Sequence, residues 1–228
     1  MLFIGLDDTD TLESRGTGHL ARQIAAALAT DYPLLGVSRH QLLVDPRVPC
    51  TRNNSCAAIT LDLDGEVDPK TLFERVRTLM LAEFEPGSDP GLCVARSVPV
   101  AVSEFGKRAQ RHLVSQESAR RLAAEHGLLL QGLGGDEDGV IGALAAVGLA
   151  ATGEDGRYVL VGRSRELSGL QPVSALLAAG IVAVQTAGGQ PVTEGLVQTD
   201  KLRPARRGGE PVAVVEWAGD HWLPLKLD

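Results

Sequence analysis

The first ten residues constrain this chain more than any other stretch. Residues 2–6 are a continuous apolar run that ends at once in Asp7-Asp8-Thr9-Asp10. A short apolar run bounded by a polar turn reads as a buried strand. Such a strand delivers its terminal acids to the edge of a sheet, where three close carboxylates repel one another and call for a cation. Ligands that are all oxygen suit Mg²⁺, which keeps several waters and bridges one or two carboxylates to phosphates. The competing reading is local, because Asp and Thr also cap helices.

An alternation follows. A helix is expected over 17–29, with Leu20, Ile24, Ala27 and Leu28 at helical spacing. A strand over 35–44 stops at Asp45-Pro46, and a second strand covers 57–63. Residues 69–83 read as a helix, with Asp68 as N-cap and Pro69 at its first position. Asp89-Pro90-Gly91 then turns the chain into a strand over 92–94. The order strand-helix-strand-strand-helix-strand is the split βαβ pattern of ferredoxin-like sandwiches.

Helices are expected over 103–112 and 115–126, the second capped by Ser115 and stopped by Gly127. After a strand over 128–131 and a Gly-rich loop, residues 138–151 form a helix of small side chains. Farther on, 158–161, 181–185, 192–196, 211–217 and 221–225 read as strands and 172–179 as a helix. The fold class is therefore α/β (α+β) throughout.

Composition narrows the function. A net charge of −7 across 228 residues weighs against a general nucleic-acid coat, and 4% aromatic residues give no stacking platform for bases. The longest apolar stretch, 140–151, is too short to span a bilayer. The acids close behind Met1 do not fit a secretory signal, so a cytoplasmic protein without membrane attachment is expected. Three irregularly spaced cysteines, Cys50, Cys56 and Cys93, suggest neither a disulfide framework nor a zinc ribbon.

Other candidate site residues surround this frame. Thr17, with Gly16 and Gly18, stands at the start of the first helix, where backbone N–H groups favour a phosphate. His19 follows directly. The loop over 45–55 presents Arg52, Asn53 and Asn54, of which arginine is suited to bidentate phosphate recognition. Asn-Asn is equally an ordinary turn sequence. Gly139 and Gly142 open the small-residue helix, whose preceding Gly-rich turn lacks the Lys-Ser/Thr of a P-loop. Basic residues cluster at Lys107, Arg108 and Arg111 and again at Lys201, Arg203, Arg206 and Arg207, with Asp200 beside the second cluster. Clusters of this kind are solvated faces or contacts for a phosphate-rich substrate.

Taken in order, several segments resemble the archaeal tRNA-isoleucine agmatidine synthases (2-agmatinylcytidine synthetases). The matching stretches are Ile4-Gly5-Leu6-Asp7-Asp8-Thr9-Asp10, Gly16-Thr17, Asp45-Pro46-Arg47-Val48-Pro49 with Thr51-Arg52-Asn53, Asp89-Pro90-Gly91, and the run from Gly139 to Gly148. The resemblance implies a kinase-like α/β domain over 1–113 followed by a ferredoxin-like domain over 114–228. It implies an ATP- and Mg²⁺-dependent enzyme that phosphorylates a carbonyl-type oxygen to activate it for amine attack. Asp7, Asp8 and Asp10 would hold the metal and the ATP phosphates, Thr17 would match the family's phosphorylatable threonine, and Thr9, Arg52, Asn53 and Asn54 would line the nucleotide site.

This sequence departs from the pattern in three places: Cys50 replaces the lysine before the Thr-Arg pair, the loop after Gly16 is shorter, and acids replace a basic residue before the glycine-rich helix. The family's C-terminal OB-fold and zinc ribbon have no counterpart in these residues. The expected partners are ATP and an acceptor, with tRNA unsupported by the net charge. RNA binding would then fall to a separate subunit, and a homodimer is the other expected assembly. The alternatives are an ATP-dependent small-molecule kinase or amine ligase, and a non-catalytic nucleotide-binding regulatory module.

Overall fold

In the computed structural model, residues 1–51, 53–63 and 67–227 are described. Arg52 lies outside the described residues. The chain forms two compact units, Met1–Thr152 and Gly153–Asp228. The boundary expected after residue 113 therefore falls inside the first unit.

The apolar run at the N-terminus becomes β1 (Leu2–Asp7), which is followed by α1 (Thr17–Leu28), β2 (Leu34–Gln41), β3 (Ser55–Leu61), α2 (Pro69–Glu83) and β4 (Gly91–Ala95). Next come α3 (Val100–Ala109), α4 (Gln116–Glu125), β5 (Leu129–Gly132) and α5 (Gly139–Thr152). The strands of this unit run in the order β5-β4-β1-β3-β2, each neighbour antiparallel. The segment β4-β1-β3-β2 is the split βαβ arrangement expected from the element order. α2 starts as predicted, with Pro69 at its first turn and the Asp68 carboxylate accepting from Lys70 N–H at 3.1 Å. Ser115 caps α4 through Ser118 N–H at 3.2 Å.

Alternation along β1 sends its side chains to both faces of the sheet. Phe3 joins Cys56, Ala58, Cys93 and Ala95 in a core with α3, α4 and α5. α1 packs on β2 and β3, and α2 on β4. α5 is buried on nearly every side, which accounts for a sequence with no polar face. Its approach to β1 is a backbone contact: a Cβ on Gly5 would lie 2.0 Å from the Ala143 carbonyl oxygen.

In the second unit, β6 (Arg157–Leu160), β7 (Leu170–Pro172), α6 (Val173–Ala178), β8 (Ala183–Thr186) and β9 (Leu196–Gln198) precede β10 (Ala205–Arg207), β11 (Glu210–Trp217) and β12 (Trp222–Pro224). β10 and β11 form a hairpin through Gly208 and Gly209, both at positive φ (59° and 82°), as a two-residue primed turn requires. Its core gathers Tyr158, Val161, Leu176, Ile181, Val184, Val197, Ala213 and Val215. With a single six-residue helix among the described residues, this unit is richer in β-structure than the ferredoxin-like sandwich implied by the resemblance. No helix of the described residues is long and apolar enough to cross a membrane.

Candidate functional site

The C-terminal end of β1 meets the start of α5. Register places Asp7 opposite Gly91, the first residue of β4, so Asp89 comes to the same edge two residues earlier. Gly139 N–H donates to the Asp89 carbonyl at 2.9 Å. A Cβ on Gly139 would stand 2.4 Å from that oxygen, and one on Gly142 would stand 1.7 Å from Asp7 Oδ2. The two glycines thus let the first turn of α5 press onto the β1 carboxylate. Their contribution is space, with no ligand contact implied.

Beyond Asp7 the chain turns sharply, with Asp8 at a φ of 51°, a left-handed conformation that Asp tolerates better than most residues. Burial pushes the Asp7 carboxyl up to about 8, with the Asp8 charge adding to the rise and the Asp8 backbone N–H opposing it. Asp8 is pushed up to about 6 by burial and then by Asp89, Asp10, Asp136 and Asp138. Among the described residues, no lysine or arginine forms an ion pair with either carboxyl. The helix dipole at the start of α5 favours negative charge there, but it does not offset this burial.

Asp10 is arranged differently. Its Oδ1 accepts from Thr17 N–H at 2.9 Å and from Thr17 Oγ1 at 2.7 Å, and its Oδ2 accepts from Thr51 Oγ1 at 3.1 Å. Gly16 offers no side chain to cap α1, so Asp10 does so from a distance. Asp7, Asp8 and Asp10 border one hollow, and the Asp10 charge raises both of the others, while its own carboxylate is held on Thr17 and Thr51. No group of three His, Cys, Asp or Glu side chains among the described residues is gathered to hold a metal ion alone.

A cleft of about 390 Å³ opens over these residues. Its lining includes the carboxylates Asp7, Asp8, Asp10, Asp89 and Asp138 and the apolar side chains Leu42, Leu43, Val48, Leu113, Val114 and Ile141. Asn53 and Asn54 also line it, the Asn54 amide donating to Leu43 O at 2.8 Å. A smaller polar recess of about 250 Å³ beside α1 is lined by Ser14, Gly16, Thr17, Gly18, Arg39 and Asn53 among others. Thr17 borders both hollows but is buried. Thr9 is buried too, with its hydroxyl lacking a partner.

His19 contacts Arg15 at 3.3 Å and Arg22 at 3.5 Å. Desolvation, then those two cations, lower the pKa of this α1 residue. Asp200 belongs to the second unit, where it accepts from Gly169 N–H at 2.9 Å and from the Gln198 amide at 3.0 Å.

Asp89, Asp136 and Asp138, which the sequence places in the turn before β4 and at the start of the small-residue helix but which were not among the candidate site residues, also act on Asp8. Asp136 N–H donates to Asp89 Oδ1 at 2.8 Å, and Gln116 of α4 donates to Asp138 Oδ1 at 2.6 Å. The signal for Asp89 was present: in a split βαβ order β4 neighbours β1, so the residues before β4 share its edge. The apolar lining gave no comparable signal.

No protein-family model matches the chain. It is 30% identical over 158 residues to the isoleucine-tRNA 2-agmatinylcytidine synthetase TiaS of Cenarchaeum symbiosum, covering 64% of this chain and 33% of that protein. An uncharacterised protein of Methanocaldococcus jannaschii is 28% identical over 153 residues, covering 65% of this chain and 50% of its own length. The chain thus spans about a third to a half of the curated relatives it matches. Among solved structures, the complex of TiaS with isoleucine tRNA and ATP superimposes with a TM-score of 0.57 at 23% identity, over 64% of this chain and 36% of that one. Apo TiaS gives 0.55 at 21%, over 64% and 35%. These two structures support the fold, and the resemblance read from the motifs is shown: the matched part of the chain is similar to part of a 2-agmatinylcytidine synthetase.

Proposed function

We propose that the first unit is an ATP- and Mg²⁺-dependent core that transfers a phosphoryl group to a carbonyl-type oxygen, the 2-carbonyl of a tRNA cytosine being the acceptor. The γ-phosphoryl passes to that oxygen and ADP leaves. An amine nitrogen then bonds to the ring carbon, the carbon–oxygen bond breaks, and phosphate departs. The observation that supports this reading is the Asp7–Asp8 pair in the lining of the cleft, crowded, raised in pKa and without a cationic partner among the described residues.

The donor set would suit Mg²⁺, since the charges acting on Asp8 are the carboxylates of Asp89, Asp10, Asp136 and Asp138. Asp7 and Asp8 would hold the ion, leaving its remaining positions to phosphate oxygens and water. When bound, the ion would neutralise charge developing on the transferred phosphoryl group. Asp10 holds the Thr17 hydroxyl at 2.7 Å, within reach to take its proton if Thr17 accepts phosphate. Gly16 and Gly18 border the polar recess at the start of α1, and the end of that helix would favour phosphate where its N–H groups are not already held by Asp10.

Two of the similar TiaS structures are complexes with isoleucine tRNA, one with ATP and one with AMPCPP and agmatine, and the similarity extends that chemistry to this chain as a proposal. One observation favours a small-molecule acceptor instead: among the described residues, no Phe, Tyr or Trp lines the cleft to stack a base. Calorimetric titration of the full chain tests the shared core. ATP should bind with Mg²⁺, and Asp8→Asn should weaken it at least about tenfold. Equal affinity in that variant would remove the metal assignment. Turnover with tRNA and amine, against free cytidine and amine, separates the two acceptors.

A further inference from the structure

Asp138 stands half-buried in the turn that leads into α5. Gln116 of α4 donates to its Oδ1 at 2.6 Å. The carboxylate does not cap α5, since the Val140 and Ile141 N–H groups donate to the Glu137 and Asp138 carbonyls at 3.1 and 3.0 Å. Among the described residues no lysine or arginine forms an ion pair with it. Apolar side chains of the cleft lie beside it in the chain. Ile141 follows three positions on, a spacing that brings side chains to one side of a helical turn. Val114 lies two residues before Gln116. Both pack on the core cluster that contains Leu42 and Ala109. Leu43 N–H donates to Ala109 O at 3.0 Å, which ties the segment after β2 to the end of α3. These two stretches bring Leu42, Leu43, Leu113 and Val114 to the cleft.

We propose that this part of the cleft binds an amine as its ammonium ion, with Asp138 holding the head and Ile141, Val114, Leu42 and Leu113 the body, and that it selects an amine whose body carries no second charge. The assignment rests on the amine-transfer reading above, in which the metal ion occupies Asp7 and Asp8 and leaves Asp138 to another cation. A solvated acid at a helix start needs neither an amide from a second helix nor apolar neighbours. Here one carboxylate oxygen is fixed by Gln116, so the group presents a placed acceptor for N–H donors. No lysine or arginine among the described residues lines the cleft, and its five carboxylates complement a cation and repel an anionic ligand. Selection comes from the apolar lining. Leu42, Leu43, Leu113 and Val114 supply no side-chain acceptor, so an ammonium or guanidinium laid on them loses water without a replacement partner. A methylene laid there leaves water favourably.

The experiment is saturation-transfer NMR of the full chain, with and without Mg²⁺ and AMPCPP, titrated with ethylamine, butylamine, hexylamine, 1,6-diaminohexane and agmatine. Affinity should rise roughly threefold for each methylene added between butylamine and hexylamine. The two dications should bind at least about tenfold more weakly than hexylamine. Asp138→Asn should weaken the monoamines alike, by about fivefold or more, and keep the increment per methylene. Leu113→Gln/Val114→Thr should roughly halve that increment, and thermal melting checks the fold of both variants. A flat series overturns the site, as does a dication that binds as tightly as hexylamine or an increment that the double variant leaves unchanged. Displacement of hexylamine by AMPCPP also overturns it, because the nucleotide would then occupy these residues. A chain that binds ATP with Mg²⁺ but gives a flat series loses this site and keeps the phosphoryl-transfer reading. A steep series that depends on Asp138, in a chain that binds no nucleotide, keeps this site and sinks that reading.

Discussion

Asp7 and Asp8 sit where β1 meets α5, whereas Asp10, only two residues further, turns to the start of α1, and these carboxyls are in opposite situations. Asp10 has three donors at 2.7–3.1 Å and holds a helix end together. Asp7 and Asp8 have burial and one another, together with the carboxylates that β4 and the loop before α5 bring alongside. A run of aspartates in sequence is therefore not a site by proximity alone. What separates these carboxyls is the supply of N–H and O–H donors: three for Asp10, against the Asp8 backbone N–H alone opposing the burial of Asp7.

The largest effect that would break this contrast comes from filling the contact between α5 and Asp7. Gly142→Ala places a methyl 1.7 Å from Asp7 Oδ2, so either the carboxyl or the helix must move. A loss of about 3 kcal/mol is expected, at the upper end of ordinary overpacking. Asp7→Ala should recover a large part of it in the double variant, read as a non-additive cycle in chemical denaturation. Additive losses would mean that α5 does not press on this carboxyl.

Next in size is the pH dependence of Asp7. The folded state raises its pKa from the ordinary 3.8 to about 8, so the folded protein binds this proton more tightly than the unfolded chain. The resulting stability is fully present below pH 3.8 and is lost as the pH rises through about 8. Asp7→Asn removes the titration while keeping the shape. With divalent ions chelated, the variant should be more stable than the parent at pH 9 by roughly 2 kcal/mol, and the gap should close toward pH 4. A gap independent of pH would place Asp7 in contact with solvent.

Much of this was legible in the sequence. The apolar run before Asp7, the Asp68-Pro69 start of α2 and the element order gave the split βαβ sheet and the edge that carries the acids. The fate of Asp10 was not legible, because capping at a distance of seven residues depends on how the loop closes, and Gly16 hides the cap by offering no side chain of its own. Gly139 and Gly142 were read as ligand contacts or tight packing, and the structure places both against backbone and carboxyl atoms. The apolar lining assembles from residues far apart in sequence, including Leu42 and Ile141, and none of them stands out in its own segment.

The smallest effects sharpen the other side of the comparison. Asp10→Asn keeps one oxygen acceptor but weakens a charge-assisted cap, so a loss of about 1 kcal/mol is expected in thermal melting. Asp45 is the control. It accepts from Arg47 at 2.8 Å, and that cation holds its carboxyl well below the usual range, yet the pair lies on the exposed loop before β3. Solvent screens such pairs, so Asp45→Asn should leave the melting temperature unchanged. If Asp45→Asn costs as much as Asp10→Asn, charge pairing alone sets carboxylate energetics in this chain, and the role assigned to donor supply at buried positions fails. If Asp10→Asn alone is destabilising, the helix end is what Asp10 serves, and Asp7 and Asp8 remain the pair proposed to bind a cation.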